Sequence, residues 1–199
     1  MLPDIAPIPD TRLAAAAEAL TVRVSPPELV GHCRRTYSFG AALLHGQGRT
    51  FDPELLYIAA MLHDLGLTDE FEDGVTPFER IGADAARGAL LAEGAPPETA
   101  ALVHEAIALH LEASTADDPR PEVAGVSIGA GVDVLGLRLG DLPAALVDEV
   151  LEAYPRPGLK KMLTAAIARQ VELKPRSRIA RHVERYDFAA LVAAAPFDS

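Results

Sequence analysis

A histidine and an aspartate stand side by side at the end of an apolar run. Leu55-Leu56-Tyr57-Ile58-Ala59-Ala60-Met61-Leu62 leads into His63-Asp64, and Leu65-Gly66-Leu67 follows. An imidazole and a carboxylate are costly to bury at the end of so hydrophobic a segment unless something compensates them. A metal ion is the commonest compensation, because it supplies positive charge to both ligands at once. Adjacent helical residues point about 100° apart, so both reach one ion only near a helix terminus or a bend. Gly66 supplies that terminus. The pair fits equally well an ordinary helix C-terminus, with His63 near the negative end of the dipole and Asp64 solvated. Other residues have to decide.

Three further positions bear on the choice. His32 follows Pro27 on a helical face that also carries Phe39, Ala42 and Leu43. A lone histidine in that setting is more often a core residue than a ligand. His110 closes a helix whose apolar positions include Ala101, Leu102, Ala106 and Ile107. Asp133 lies within Ile128-Gly129-Ala130-Gly131-Val132-Asp133-Val134-Leu135-Gly136, the most hydrophobic surroundings of any acid in the chain. A buried carboxylate there needs a cation or several donors. His32, the His63-Asp64 pair and Asp133 together offer two nitrogens and two oxygens, a set that suits a borderline or harder divalent ion with positions left for water.

The elements that must position these groups read as helices throughout. Leu, Ala, Glu and Arg dominate, and no β-branched alternation is long enough to build a sheet. The patterns predict helices over 11–20, 27–45, 53–64, 78–93, 97–112, 121–138, 143–153, 158–171 and 176–193. Prolines and glycines separate them. Residues 66–77 hold Gly66, Gly74 and Pro77 and read as a loop whose stretch Asp69-Glu70-Phe71-Glu72-Asp73 is solvated. His45, His104 and His182 read as structural. The expectation is a single all-α domain over 25–199, preceded by an N-terminal extension and helix over 1–24.

At 199 residues the chain is long enough for one domain with a substantial core. A net charge of −11 argues against binding nucleic acid through phosphate neutralisation. No apolar run is long enough for a membrane span. The N-terminus, with Asp4 and Asp10, lacks the pattern of a secretory signal. Cys33 is the only cysteine, which excludes an internal disulfide and a thiolate-rich zinc site and fits a cytoplasmic protein. The expected partner is a small-molecule substrate, with neither nucleic acid nor membrane. The apolar segment Ala189-Ala190-Leu191-Val192 offers a surface for a homodimer.

The order His32, His63-Asp64, Asp133 on successive helices resembles the HD superfamily of metal-dependent hydrolases, and more narrowly its cyanamide hydratase-like branch. His32-Cys33-Arg34-Arg35-Thr36-Tyr37-Ser38-Phe39-Gly40 is similar to the branch's opening block, and Leu56 to Gly66 to its centre. Phe78-Glu79-Arg80-Ile81-Gly82-Ala83, Glu105 to His110, Asp133-Val134-Leu135-Gly136 and Tyr154-Pro155-Arg156 supply the later blocks, so the likeness spans about residues 22–160.

The resemblance implies an HD-domain helical bundle with His32, His63, Asp64 and Asp133 as metal ligands, and His110, Glu79 and Asp64 as the catalytic groups. It implies one divalent ion, zinc first, with iron, manganese, cobalt and nickel as alternatives. Many two-metal members carry an extra histidine where this chain has Glu79-Arg80, which favours one metal over a di-iron oxygenase site. Gly31 stands where the hydratases carry an asparagine, which weakens any transfer of substrate specificity. The activity implied is hydration or hydrolysis of cyanamide or a nitrile. One alternative is hydrolysis of a nucleotide or other phosphate ester, with Arg35 or Lys160 balancing the phosphate. A second is a non-catalytic binding module stabilised by its metal.

Overall fold

Prolines and short polar caps set where the helices begin. A computed structural model of the chain describes residues 6–197. Helix α1 (Arg12–Val24) is opened by Thr11, whose hydroxyl accepts from Ala14 N. Helix α2 (Pro27–Gly46) starts on Pro27, and α3 (Pro53–Leu62) is capped by the Asp52 carboxylate. Then come α4 (Phe78–Ala92), α5 (Pro97–Leu109), α6 (Pro121–Leu135) and α7 (Ala144–Ala153). Helices α8 (Leu159–Leu173), α9 (Arg178–Tyr186) and α10 (Phe188–Ala194) complete the chain. Proline at the first helical position loses no hydrogen bond, because that N–H has no intrahelical partner. Among the described residues there is no strand, and no helix is long and apolar enough to cross a membrane. The fold is all-α. Residues 1–5, with Asp4, and 198–199 lie outside the described residues.

Most helix ends fall within a few residues of expectation. The clear departure is the final helix, which divides at Asp187, where φ is +49° and the chain turns a corner between α9 and α10. A non-glycine residue in that left-handed region carries a steric cost, tolerated most readily by Asn and Asp.

The most extensive helix pairing in the fold is between α2 and α6. A Cβ at Gly129 would overlap the Thr36 carbonyl, and one at Gly40 would overlap the Gly125 carbonyl. Glycines at these points let the two backbones touch, which brings Asp133 beside His32 and Arg35. Gly66 does the same for the turn after His63, since a Cβ there would strike the backbone of Phe78 at the start of α4.

The buried apolar side chains form two clusters. The larger joins α1 to α7 and includes Leu44, Leu56, Tyr57, Met61, Ile107 and Val126. Ala14 and Ala17 of α1 belong to it. The smaller draws on Leu29, Phe78, Leu163, Ile167, Ile179 and Val192, mainly from α8 to α10. Between His32, His63, Asp64 and His110 on one side and the apolar side chains of the second cluster on the other lies a cavity.

Candidate metal centre and its cavity

Two of the site's histidines sit where helices stop. His63 is the C-cap of α3 and His110 the C-cap of α5. Each imidazole turns Nδ1 back to a carbonyl of its own helix, His63 to Ala60 O and His110 to Ile107 O, both at 2.7 Å. His32, inside α2, places Nδ1 2.7 Å from Asp133 Oδ2. Carbonyl and carboxylate oxygens only accept, so all three rings carry their proton on Nδ1 and present a lone pair at Nε2.

Those lone pairs converge. His32 Nε2 and His63 Nε2 are 3.1 Å apart, and Asp64 Oδ2 lies 3.5 Å from the first and 3.4 Å from the second. His110 Nε2 stands 3.9 Å from Asp64 Oδ1. A proton does not relieve this crowding at neutral pH. Burial, reinforced by the neighbouring His32, pushes His63 down to about 3. Burial and His63 push His110 down to about 4. His63 and His110 therefore stay neutral, which is the form that binds metals. A divalent ion bonded at about 2.0–2.2 Å holds its nitrogen and oxygen donors roughly 3.0–3.5 Å apart, and the His32–His63–Asp64 triangle has those edges. The donor set fits a metal.

Asp133 stands elsewhere than its expected place as a fourth ligand. It lies behind His32, on the Nδ1 side, and the two nitrogens of an imidazole point in divergent directions. Its Oδ1 accepts from Arg35 Nε at 2.8 Å and its Oδ2 from Arg35 Nη2 at 3.1 Å; Arg156 Nη1 bonds both Oδ1 and, at 2.8 Å, the Asp133 carbonyl. Burial alone would raise the Asp133 carboxyl, but the His32 hydrogen bond and the Arg35 guanidinium hold it well below the usual carboxylate range. Asp133 is thus a permanent anion that fixes the ring and tautomer of His32. Arg35 also donates to the carbonyls of Tyr154 and Pro155. A Cβ at Gly31 would lie 2.9 Å from Arg35 Nη1, so the small residue before His32 makes room for that guanidinium.

A profile of the HD domain matches residues 29–188, which contain His32, His63-Asp64 and Asp133. The chain belongs to the HD-domain family. Its members are generally metal-dependent hydrolases. No curated protein matches the chain. In this HD domain the His-His-Asp cluster opens onto a cavity of about 340 Å³, bordered by His32, His63, Asp64 and His110 on one side and by α6 and α8–α10 on the others.

The remaining expected site residues are distributed as follows. Glu79 is buried in the first turn of α4, with an Oε2 that has no hydrogen-bond partner, and it does not border the cavity. Lys160, the other cation expected to meet a phosphate, donates to Ala195 O at 2.8 Å. His104 pairs with Asp84 at 3.0 Å, away from the site. His182, read as structural, borders the cavity with Nε2 3.0 Å from Leu111 O. Sequence reasoning placed neither Arg156 nor any wall residue of α8–α10 at the site, and gave Leu191, which borders the cavity, to a homodimer surface instead. Arg156 lay in plain view within Tyr154-Pro155-Arg156, whereas the wall carried only the apolar spacing of Leu163 and Ile167.

Proposed function

We propose that the protein is a one-metal hydratase or hydrolase acting on a small neutral substrate of the nitrile or cyanamide type. The reading rests on one observation: three acceptor atoms within 3.5 Å of one another at the edge of a cavity, the two imidazoles among them fixed from behind. His32, His63 and Asp64 would hold the ion. When bound, a divalent metal supplies a water nucleophile at neutral pH and polarises the electrophile.

The side chains provide the rest. His110, neutral and presenting Nε2 toward Asp64, accepts the proton as water adds to the substrate carbon and returns it to the substrate nitrogen. Carbon gains the water oxygen, nitrogen gains the proton that His110 returns, and the remaining hydroxyl proton shifts from oxygen to nitrogen as the imidic acid becomes the amide. Of the two proton carriers expected, His110 borders the cavity and Glu79 does not, so the transfer is routed through His110. Asp64 faces both ways, Oδ2 toward the imidazoles and Oδ1 toward His110.

Charge favours a neutral substrate over a phosphate ester. No lysine or arginine borders the cavity among the described residues. Arg35 and Arg156 are engaged by Asp133, and Lys160 by a carbonyl. A phosphoryl group would find no lysine or arginine on the cavity wall to share with a bound ion the balancing of its charge.

Elemental analysis of the purified protein, followed by turnover of cyanamide, small nitriles and nucleoside monophosphates with each metal, tests the reading. About one metal per chain with amide or urea formation supports it. Phosphate release from a nucleotide overturns the neutral-substrate assignment. Unfolding on chelation with no turnover of any compound favours the metal-stabilised binding module.

A further inference from the structure

Resting on the reading above, we infer that the substrate is larger than cyanamide and carries an apolar body, seated between α6 and α8–α10 with its reactive group toward His32, His63 and Asp64. Volume is the first argument. At water's share of roughly 30 Å³, the 340 Å³ cavity has room for about ten heavy atoms, whereas cyanamide has one carbon and two nitrogens. Such a molecule would leave most of the space to water against apolar walls.

The walls are the second argument. Leu67, Leu135, Leu163, Ile167, Ile179 and Phe188 line the region beyond the donors. Of the five polar side chains that border it away from the donors, three are already committed, Glu112 to Arg178, Gln170 to Glu72 and Lys174, and His182 to the Leu111 carbonyl, which leaves only the hydroxyls of Ser127 and Tyr186. A charged or strongly hydrogen-bonding body would lose its hydration in this space and recover little of it. A hydrocarbon or aryl body gains by leaving water.

The mouth is the third argument. Leu137 is 55% exposed, Tyr186 50% and Leu191 46%, and all three border the same cavity. Exposed large hydrophobics scattered singly need no explanation, but grouped at one opening they mark a binding route. The occupant is accordingly a neutral nitrile, or a close electronic relative, with an alkyl or aryl substituent. Ile167, a buried side chain of the α8 wall, is a residue whose size changes the room available.

The test uses the metal-loaded protein and a homologous series: cyanamide, acetonitrile, butyronitrile, hexanenitrile and phenylacetonitrile, with 5-cyanopentanoate as the charged control. We expect kcat/KM to rise about fourfold per methylene until the cavity is full, and the carboxylate to cancel that gain. Ile167→Ala should move the optimum to longer chains and Ile167→Phe to shorter ones, both with wild-type metal content. Binding of the corresponding amides by titration calorimetry separates the two claims. Affinity that climbs with chain length, without turnover of any nitrile, supports the apolar-body assignment and overturns the hydration reading. Turnover fastest on cyanamide and falling with length keeps the hydration reading and overturns this one. Affinity independent of chain length, together with a concentration-dependent dimer lost in Leu191→Glu, also overturns it, because the apolar mouth would then serve a second copy.

Discussion

Around His32, α2 and α6 approach until a Cβ at Gly129 would overlap the facing Thr36 carbonyl, and each imidazole of the donor cluster has its second nitrogen bonded. Across the cavity, α8, α9 and α10 offer branched apolar side chains that end on open space, and α9 and α10 meet at a corner held by a left-handed Asp187. One side fixes atoms through directional bonds. The other supplies shape and dryness through contacts that tolerate exchange. Reaction chemistry needs the first kind of construction, and accommodating a range of molecules needs the second.

Several substitutions would break or sharpen that contrast. The largest effect belongs to the fixed side. His63→Ala should remove the bound metal and lower activity by about a thousandfold or more, while circular dichroism keeps its helical signature; retention of full activity in metal-free protein would end the mechanism. Acid should act next most strongly, and again on the fixed side. His63 and His110 stay neutral in the fold down to about 3 and about 4, while in the unfolded chain they take up protons below about 6.5. The unfolded state therefore binds more protons as pH falls from 6.5, so metal-free protein should lose several kcal/mol of stability over that interval, visible as a falling Tm.

Asp133→Asn should follow. It leaves Arg35 and Arg156 buried without a counter-charge, at a cost of about 3–5 kcal/mol, and loosens His32, weakening metal affinity about 10- to 100-fold; urea unfolding and a competitive chelator measure the two. The smallest effect contrasts the regions directly. Leu44→Ala in the larger core should cost about 3–5 kcal/mol, whereas Leu163→Ala on the wall should cost about 1–2, because a side chain facing open space already lacks contacts on one side. Equal losses would show that the wall is packed as firmly as the core.

The helices were legible because their starts carry local chemistry. Pro27, Pro53, Pro97 and Pro121 stand at first helical positions, and Asp52 and Thr11 cap the helices they precede. The corner at Asp187 was not legible, since an aspartate between two helix-forming stretches gives no sign of the positive φ a glycine would have suggested. At the site, the sequence pattern identified the polar residues that gather but not their directions. Which nitrogen of His32 meets Asp133 depends on how α2 rolls against α6, a tertiary matter. The acidic run 69–73 also misled: the Glu72 side chain is 4% exposed and paired with Lys174 at 2.7 Å, a contact set by a residue about a hundred positions away. The charged run of α9, Arg178 to Tyr186, likewise resembled surface although Ile179 and His182 border the cavity.

Every side chain that locks the donor rings in place lies between His32 and Arg156, while Leu163, Ile167, Ile179, Phe188 and Leu191 all come later. The lock on the donors therefore lies upstream of Leu159, and one wall of the cavity downstream of it, while Leu67, Leu135 and Leu137 contribute to the lining from the upstream part. A library randomised only downstream of Arg156 could reshape much of the cavity wall and leave the donor cluster intact.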